Sequence, residues 1–216
     1  MRFDAVLFDC DGVLVDSEPI VHRVLRDMLE ERGWRLSEHE CHQIFLGRRV
    51  VDEREQIERE TGQPLTPEWL AAFQARRNAA LNRQLLAVPN IHAAVHALHT
   101  RLDARIACAS GADRNKVELQ LRKVGLIDYF DGRIFSGHET PRSKPHPDVY
   151  LAAAHALGVD PRRCAVVEDT TTGIAAGVAA GATVFAYLPE GDAQALRVAG
   201  AHTVFADMAH LPALLA

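Results

Sequence analysis

Apolar and polar positions along the chain change rhythm twice. The opening run Ala5-Val6-Leu7-Phe8 is short and continuously apolar, as a strand buried on both faces requires. From Ser17-Glu18-Pro19, a helix start with proline in its first turn, apolar residues return at helical spacing: Val21, Val24, Leu25, Met28 and Leu29, with Gly33 as the stop. Residues from about 36 to 86 keep that helical character and show no strand-like alternation. The predicted pieces are Glu38–Phe45, Val50–Thr61 and Pro67–Leu85, broken at Gly47 and at Gly62-Gln63-Pro64. The stretch reads as a helical insert.

Past Val88-Pro89 helices and strands alternate. Asn90 is the expected cap of a helix whose Ile91, Val95, Leu98 and Leu102 share one face. The strand Arg105–Ala109 follows, then a helix capped by Asp113 and closed by Gly125. The strand Arg133–Phe135 leads through a polar loop, Ser136 to His146, into a helix opened by Pro147 and stopped by Gly158. The strand Cys164–Val167 precedes a Gly- and Ala-rich helix, Gly173 to Ala180, built to pack closely on a sheet. Strands at Thr183–Tyr187 and Thr203–Phe205 enclose a helix near Asp192–Ala199, and a short helix at about Ala209–Leu215 ends the pattern. Strands separated by helices imply right-handed crossovers and a mainly parallel sheet. The fold class is therefore α/β: a Rossmann-like parallel sheet core with helices on both faces and an inserted α-helical cap.

Four polar clusters follow the apolar strands: Asp9/Asp11, Ser110-Gly111, Lys144 and Glu168/Asp169. In an open parallel sheet the strand C-termini lie along one edge, where ligands bind at a switch in strand order. Two acids one residue apart at a strand end are costly without a cation to use their charge. Asp9, Asp11, Glu168 and Asp169 offer oxygen ligands suited to Mg²⁺. Ser110, the N–H groups around Gly111, and the Lys144 ammonium offer donors for phosphoryl oxygens. The inventory matches Mg²⁺-assisted phosphoryl transfer, with one Asp as nucleophile.

Taken together, Phe8-Asp9-Cys10-Asp11-Gly12-Val13-Leu14-Val15-Asp16-Ser17-Glu18, Ala109-Ser110-Gly111, Ser143-Lys144-Pro145-His146-Pro147-Asp148 and Val167-Glu168-Asp169 running to Gly173-Ile174 resemble the haloacid dehalogenase superfamily. The resemblance is to its helical-cap branch, which includes β-phosphoglucomutase and sugar-phosphate and phosphogluconate phosphatases. It implies a catalytic core of residues 1–16 and 88–216 and a cap of 17–87. It also implies Asp9 as nucleophile and Asp11 as the acid that protonates the leaving alkoxide and then the base that activates water. Mg²⁺ would be held by the Asp9 carboxylate, the Asp11 carbonyl and Asp169, with Glu168 in support. Ser110, Gly111 and Lys144 would hold the phosphate. In the cap, Glu18, Gly47, Arg48 and Arg49 are the expected substrate contacts, with either arginine pairing a second anionic or polyhydroxyl end of a small sugar phosphate.

The same resemblance separates the branch's chemistries. Dehalogenases do not need a second aspartate, which Asp11 supplies here. Phosphonate-cleaving relatives use a cap lysine, and residues 17–87 contain none. Phosphosugar mutases carry a histidine five residues beyond the position of Asp16, which here is Val21, with His22 one place later. One residue turns a helical side chain by about 100°, so hydrolysis is the expected outcome and mutase activity the alternative. A non-catalytic phospho-ligand-binding module, the alternative of another class, would be expected to have lost Asp9, Asp11 or Lys144.

Composition narrows the partners. The chain has 216 residues and a net charge of −5, with no broad basic field for nucleic acid or anionic lipid. No apolar stretch is long enough to span a bilayer, and Met1-Arg2-Phe3-Asp4 has no signal-peptide pattern. Cys10, Cys41, Cys108 and Cys164 lack metal-type spacing, so a reduced, cytoplasmic protein is expected, as a monomer or weak homodimer. Lys116, Lys123 and Lys144 are the only lysines against 21 arginines.

Overall fold

The computed structural model describes residues 3–46 and 48–216. The chain divides into two compact units, one running up to Asp16 and resuming as Leu86–Ala216, the other Ser17–Leu85. In chain order, β1 (Ala5–Phe8) belongs to the first unit, and the second unit then supplies α1 (Glu18–Glu30), α2 (Glu38–Phe45), α3 (Arg54–Thr61) and α4 (Pro67–Gln84).

This helical unit forms where its start and stop signals fall. Ser37 and Glu40 close a reciprocal capping box at α2, and Thr66 accepts from Trp69 N at the start of α4. Gly62, in the left-handed conformation, ends α3. The expected Val50–Thr61 helix is a 3₁₀ turn, Val50–Glu53, followed by α3. Leu25, Met28 and Leu29 of α1 bury against Cys41, Phe45, Ile57, Leu65 and Phe73, forming a core of the unit's own. The expected break at Gly47 lies outside the described residues.

The first unit continues with α5 (Ile91–Arg101), β2 (Ile106–Ser110), α6 (Arg114–Lys123), β3 (Ile134–Ser136) and α7 (Asp148–Ala156). It is completed by β4 (Cys164–Glu168), α8 (Thr171–Ala179), β5 (Thr183–Tyr187), α9 (Gln194–Val198), β6 (Thr203–Phe205) and α10 (Leu211–Leu214). All five strand pairings are parallel, in the order β3-β2-β1-β4-β5-β6. The order reverses at β1, which lies between β2 and β4. Side chains alternate faces along a strand, so Ala5, Leu7, Ala107, Ala109 and Val166 pack beneath Val149, Tyr150, Ala153 and Ile174 of α7 and α8. Phe8, on the opposite face, meets Phe130 edge-on. The small residues of α8 do what their size allows: a Cβ on Gly177 would lie 2.8 Å from Val184 and 3.1 Å from Val166.

Several boundaries move by a residue or two. β2, β3 and β4 each take in one more polar residue, because pairing continues through Ser110–Ser136 and Glu168–Ala186. The predicted start of α8 at Gly173 moves back to a Thr170 cap that accepts from Gly173 N. The final helix is a 3₁₀ turn, Met208–His210, leading into α10. Asn90 is a correction. It precedes α5 but adopts φ 64°, makes no side-chain cap, and donates instead to Asp207 Oδ1 at 2.8 Å. A residue in that left-handed conformation cannot aim its side chain at the helix N–H groups as an extended cap does.

Candidate active site

β1 runs out at the switch in strand order, and Asp9 N continues the ladder by donating to Val167 O of β4 at 2.9 Å. The chain then folds back tightly, with Gly12 N donating to Val15 O and Gly12 at φ 75°. A Cβ there would lie 1.9 Å from Asp169 Oδ2. Gly12 therefore serves both of glycine's uses, the left-handed turn and the close approach of a functional side chain.

Glu168 ends β4 with 1% of its surface exposed. Its carboxylate accepts from Lys144 Nζ at 2.7 Å, Tyr150 OH at 2.9 Å, Asp169 N at 2.9 Å, and Thr170 N and Oγ1 at 3.1 Å. Lys144 Nζ also donates to Asp9 Oδ1 at 2.6 Å and lies 4.7 Å from the centre of the Tyr150 ring. One ammonium therefore bridges two buried carboxylates. Burial pushes the Asp9 carboxyl up to about 7, against the pull of Lys144 and with repulsion from Glu168 and Asp11 adding to the rise. Burial also acts on Glu168, but Lys144 and the surrounding donors hold its carboxyl below the ordinary glutamate value. Burial opposes the charge on Lys144; Asp9 and Glu168 outweigh it and hold the ammonium protonated well above its usual range.

One carboxylate oxygen from each of Asp9, Glu168 and Asp169 lies within 4.8 Å of the others. Three acids this close form an oxygen donor set that fits a hard divalent cation. The Asp11 carboxylate has partners of its own. Among the described residues it is not part of that set, because α6 takes it: Lys116 Nζ meets Oδ1 and Oδ2 at 2.8 Å each and Gln120 Nε2 meets Oδ1 at 2.8 Å. The ligand role that the resemblance implies falls to the Asp11 carbonyl and not to this carboxylate.

Ser110 closes β2, and its Oγ accepts from Ala112 N at 3.1 Å. The loop bearing Lys144 packs against this strand end: a Cβ on Gly137 would lie 3.0 Å from Ser143 Oγ and 3.3 Å from Gly111 Cα. The structure thus gathers Asp9, Lys144, Glu168 and Asp169 by direct contact or close approach, with Ser110 and Gly111 at the neighbouring strand end. Glu18, Arg48 and Arg49 belong to the helical unit. There Glu18 opens α1, Arg48 pairs with Glu53 at 2.8 Å, and Arg49 holds Asp52 through two bonds, at 2.9 and 2.7 Å.

Sequence reasoning missed Lys116, Gln120 and Tyr150. Lys116 carried a signal, since it is one of three lysines and sits in a helix first turn, where the dipole disfavours a cation. Gln120, one turn later, and Tyr150, six residues beyond Lys144, carried none.

Residues 3–181 match the family model for haloacid dehalogenase-like hydrolases. The 6-phosphogluconate phosphatase of Escherichia coli strain K12 is 30% identical over 214 residues, covering 99% of this chain and 95% of that one. Hexitol phosphatase B of the same strain is 33% identical over 178 residues, 82% of this chain and 79% of that one. The crystal structure of a haloacid dehalogenase family hydrolase from Deinococcus radiodurans, with bound phosphate and sodium, is 37% identical. It aligns with a TM-score of 0.79 over 99% of this chain and 95% of that chain. The chain belongs to the haloacid dehalogenase-like hydrolases.

Proposed function

We propose that the protein is a Mg²⁺-dependent phosphatase that hydrolyses a small sugar phosphate or sugar-acid phosphate through an aspartyl-phosphate on Asp9. The observation that carries this reading is the Lys144 ammonium, 9% exposed, bridging Asp9 and Glu168 beside Asp169. A buried cation already in contact with a carboxylate nucleophile is placed to meet the oxygens that nucleophile attacks beside.

Asp9 attacks phosphorus, the bond to the ester oxygen breaks, and Asp11 gives the departing alkoxide its proton. Water then attacks the phosphoryl group, Asp11 takes the water's proton, and the Asp9–phosphorus bond breaks to release phosphate. Ser110 Oγ already accepts from Ala112 N, so its O–H can donate to a phosphoryl oxygen, with the N–H groups around Gly111 beside it. Asp9, Asp169 and the Asp11 carbonyl would hold Mg²⁺, with Glu168 in support, and the bound ion would offset repulsion between the carboxylates and the phosphate.

Ser17–Leu85 acts in this reading as the substrate-selecting cap, with Glu18, Arg48 and Arg49 as its contacts. Each arginine already has a carboxylate partner, so an anionic substrate end would share or displace that partner. Hydrolysis is favoured over phosphosugar mutase chemistry by Val21 at the mutase histidine position, and by phosphatase relatives named for phosphogluconate and hexitol phosphates. Phosphate release from a panel of sugar and sugar-acid phosphates, with glucose 1-phosphate isomerisation run alongside, tests the reading. Asp9→Asn or excess chelator is expected to abolish release. Turnover that survives either one overturns the mechanism. Unchanged kcat/KM across the panel in both Arg48→Ala and Arg49→Ala overturns the role of the arginines.

A further inference from the structure

A lysine in the first turn of α6 is misplaced for helix stability, since the dipole's positive end lies there. Lys116 is nonetheless 8% exposed, its backbone N–H bound to the Asp113 cap at 2.9 Å. Gln120, one turn along the same face, is fully buried. Buried polar side chains stay where they have partners, and here the partner they share is Asp11.

We infer that Lys116 and Gln120 form a clamp that fixes the Asp11 carboxylate for proton transfer, making both of them positioning residues. This rests on the role of Asp11 proposed above. Lys116 holds both carboxylate oxygens and Gln120 adds a second donor to Oδ1, so two side chains of one helix fix the orientation of the group. Gln120 is gripped at its other end as well, with Oε1 accepting from Cys10 Sγ at 3.5 Å. It therefore spans residues 10 and 11 and ties the direction of the carboxylate to the strand end that carries Asp9. The two lysines divide the acids between them: Lys144 serves the attacking aspartate and Lys116 the proton-transferring one. A proton carrier held in one orientation avoids the entropic loss of finding it at each turnover.

The leaving group separates this role from mere structural support. With p-nitrophenyl phosphate, Asp9 attacks phosphorus and nitrophenolate departs with the bonding pair, needing no proton. Hydrolysis of the aspartyl-phosphate still needs Asp11 to take a proton from water. The full chain with Mg²⁺ is assayed as wild type, Lys116→Met, Gln120→Met and Lys123→Met, the last altering an exposed lysine of the same helix.

Loosening the clamp should lower kcat for p-nitrophenyl phosphate by roughly tenfold or more while kcat/KM shifts less than about threefold, with a burst of nitrophenolate on mixing. For glycerol 1-phosphate, whose alkoxide must be protonated, kcat/KM should fall as well. Lys123→Met should match wild type. If kcat and kcat/KM for p-nitrophenyl phosphate fall together without a burst in both clamp variants, or if neither changes, the clamp is overturned. Turnover by Asp9→Asn would instead overturn the reading of the site itself, and with it the clamp.

Discussion

Replacing Gly173 by alanine sets helix propensity against the geometry of the site. Gly173 sits in the first turn of α8, where alanine would ordinarily stabilise a helix by about 1 kcal/mol. A Cβ at that position would lie 1.6 Å from Glu168 Oε1, 1.9 Å from Cδ and 2.3 Å from Oε2. Glu168 cannot yield cheaply, because Lys144, Tyr150, Asp169 N and both donors of Thr170 hold its carboxylate. Relieving the overlap means moving the carboxylate out of most of those bonds, and disrupting a buried charge pair costs about 3–5 kcal/mol. The expected net loss is about 2–4 kcal/mol. For a chain of this size that lowers Tm by roughly 5–15 °C, with a larger proportional loss of kcat/KM and a smaller Tm gain on adding Mg²⁺. Thermal melts with and without Mg²⁺, paired with a phosphatase assay, make the comparison. A Gly173→Ala protein as stable and as active as wild type would refute the account of Glu168 as a fixed carboxylate.

Other expectations follow from the same contacts. Tyr150→Phe keeps the ring beside Lys144 but removes the donor to Glu168, and should cost about 1.5–3 kcal/mol in a denaturant titration. Gly12→Ala meets both a φ of 75° and the Asp169 carboxylate, so Mg²⁺ affinity measured by calorimetry should fall further than stability does. Burial pushes the Cys41 thiol up to about 11 and the Cys164 thiol up to about 12, and all four cysteines are buried. The native protein should therefore be silent to a thiol reagent at mildly alkaline pH and should expose four reactive thiols in denaturant. A fast-reacting native thiol would contradict the packing of β2, β4, α2 or the turn after β1 that holds Cys10.

The sheet was largely legible because its strands are short apolar runs set between helical segments. That pattern gave Ala5–Phe8, Thr183–Tyr187 and Thr203–Phe205 without adjustment. Local pattern misled where a long-range partner decided the outcome. Asn90 looked like a cap but turns to Asp207, far along the chain. The hold of Lys116 and Gln120 on the Asp11 carboxylate is likewise a long-range contact that no local spacing announces. Lys144 was visible as the single lysine of a polar loop. Its bridging of Asp9 and Glu168 depends on strand order, which only the assembled sheet supplies. The ion pairs that occupy Arg48 and Arg49 could not be read either, since the sequence offers several acids within reach of each.

The central claim is that Asp9 carries the phosphoryl group. Acid quench of the wild-type protein during turnover with Mg²⁺ and a sugar phosphate, followed by borohydride trapping and peptide mass spectrometry, tests it most directly. The account predicts one trapped modification, at Asp9, that is absent without Mg²⁺ and absent in Asp9→Asn. Steady phosphate release with no modification at Asp9, or with the modification at Asp11, would contradict it.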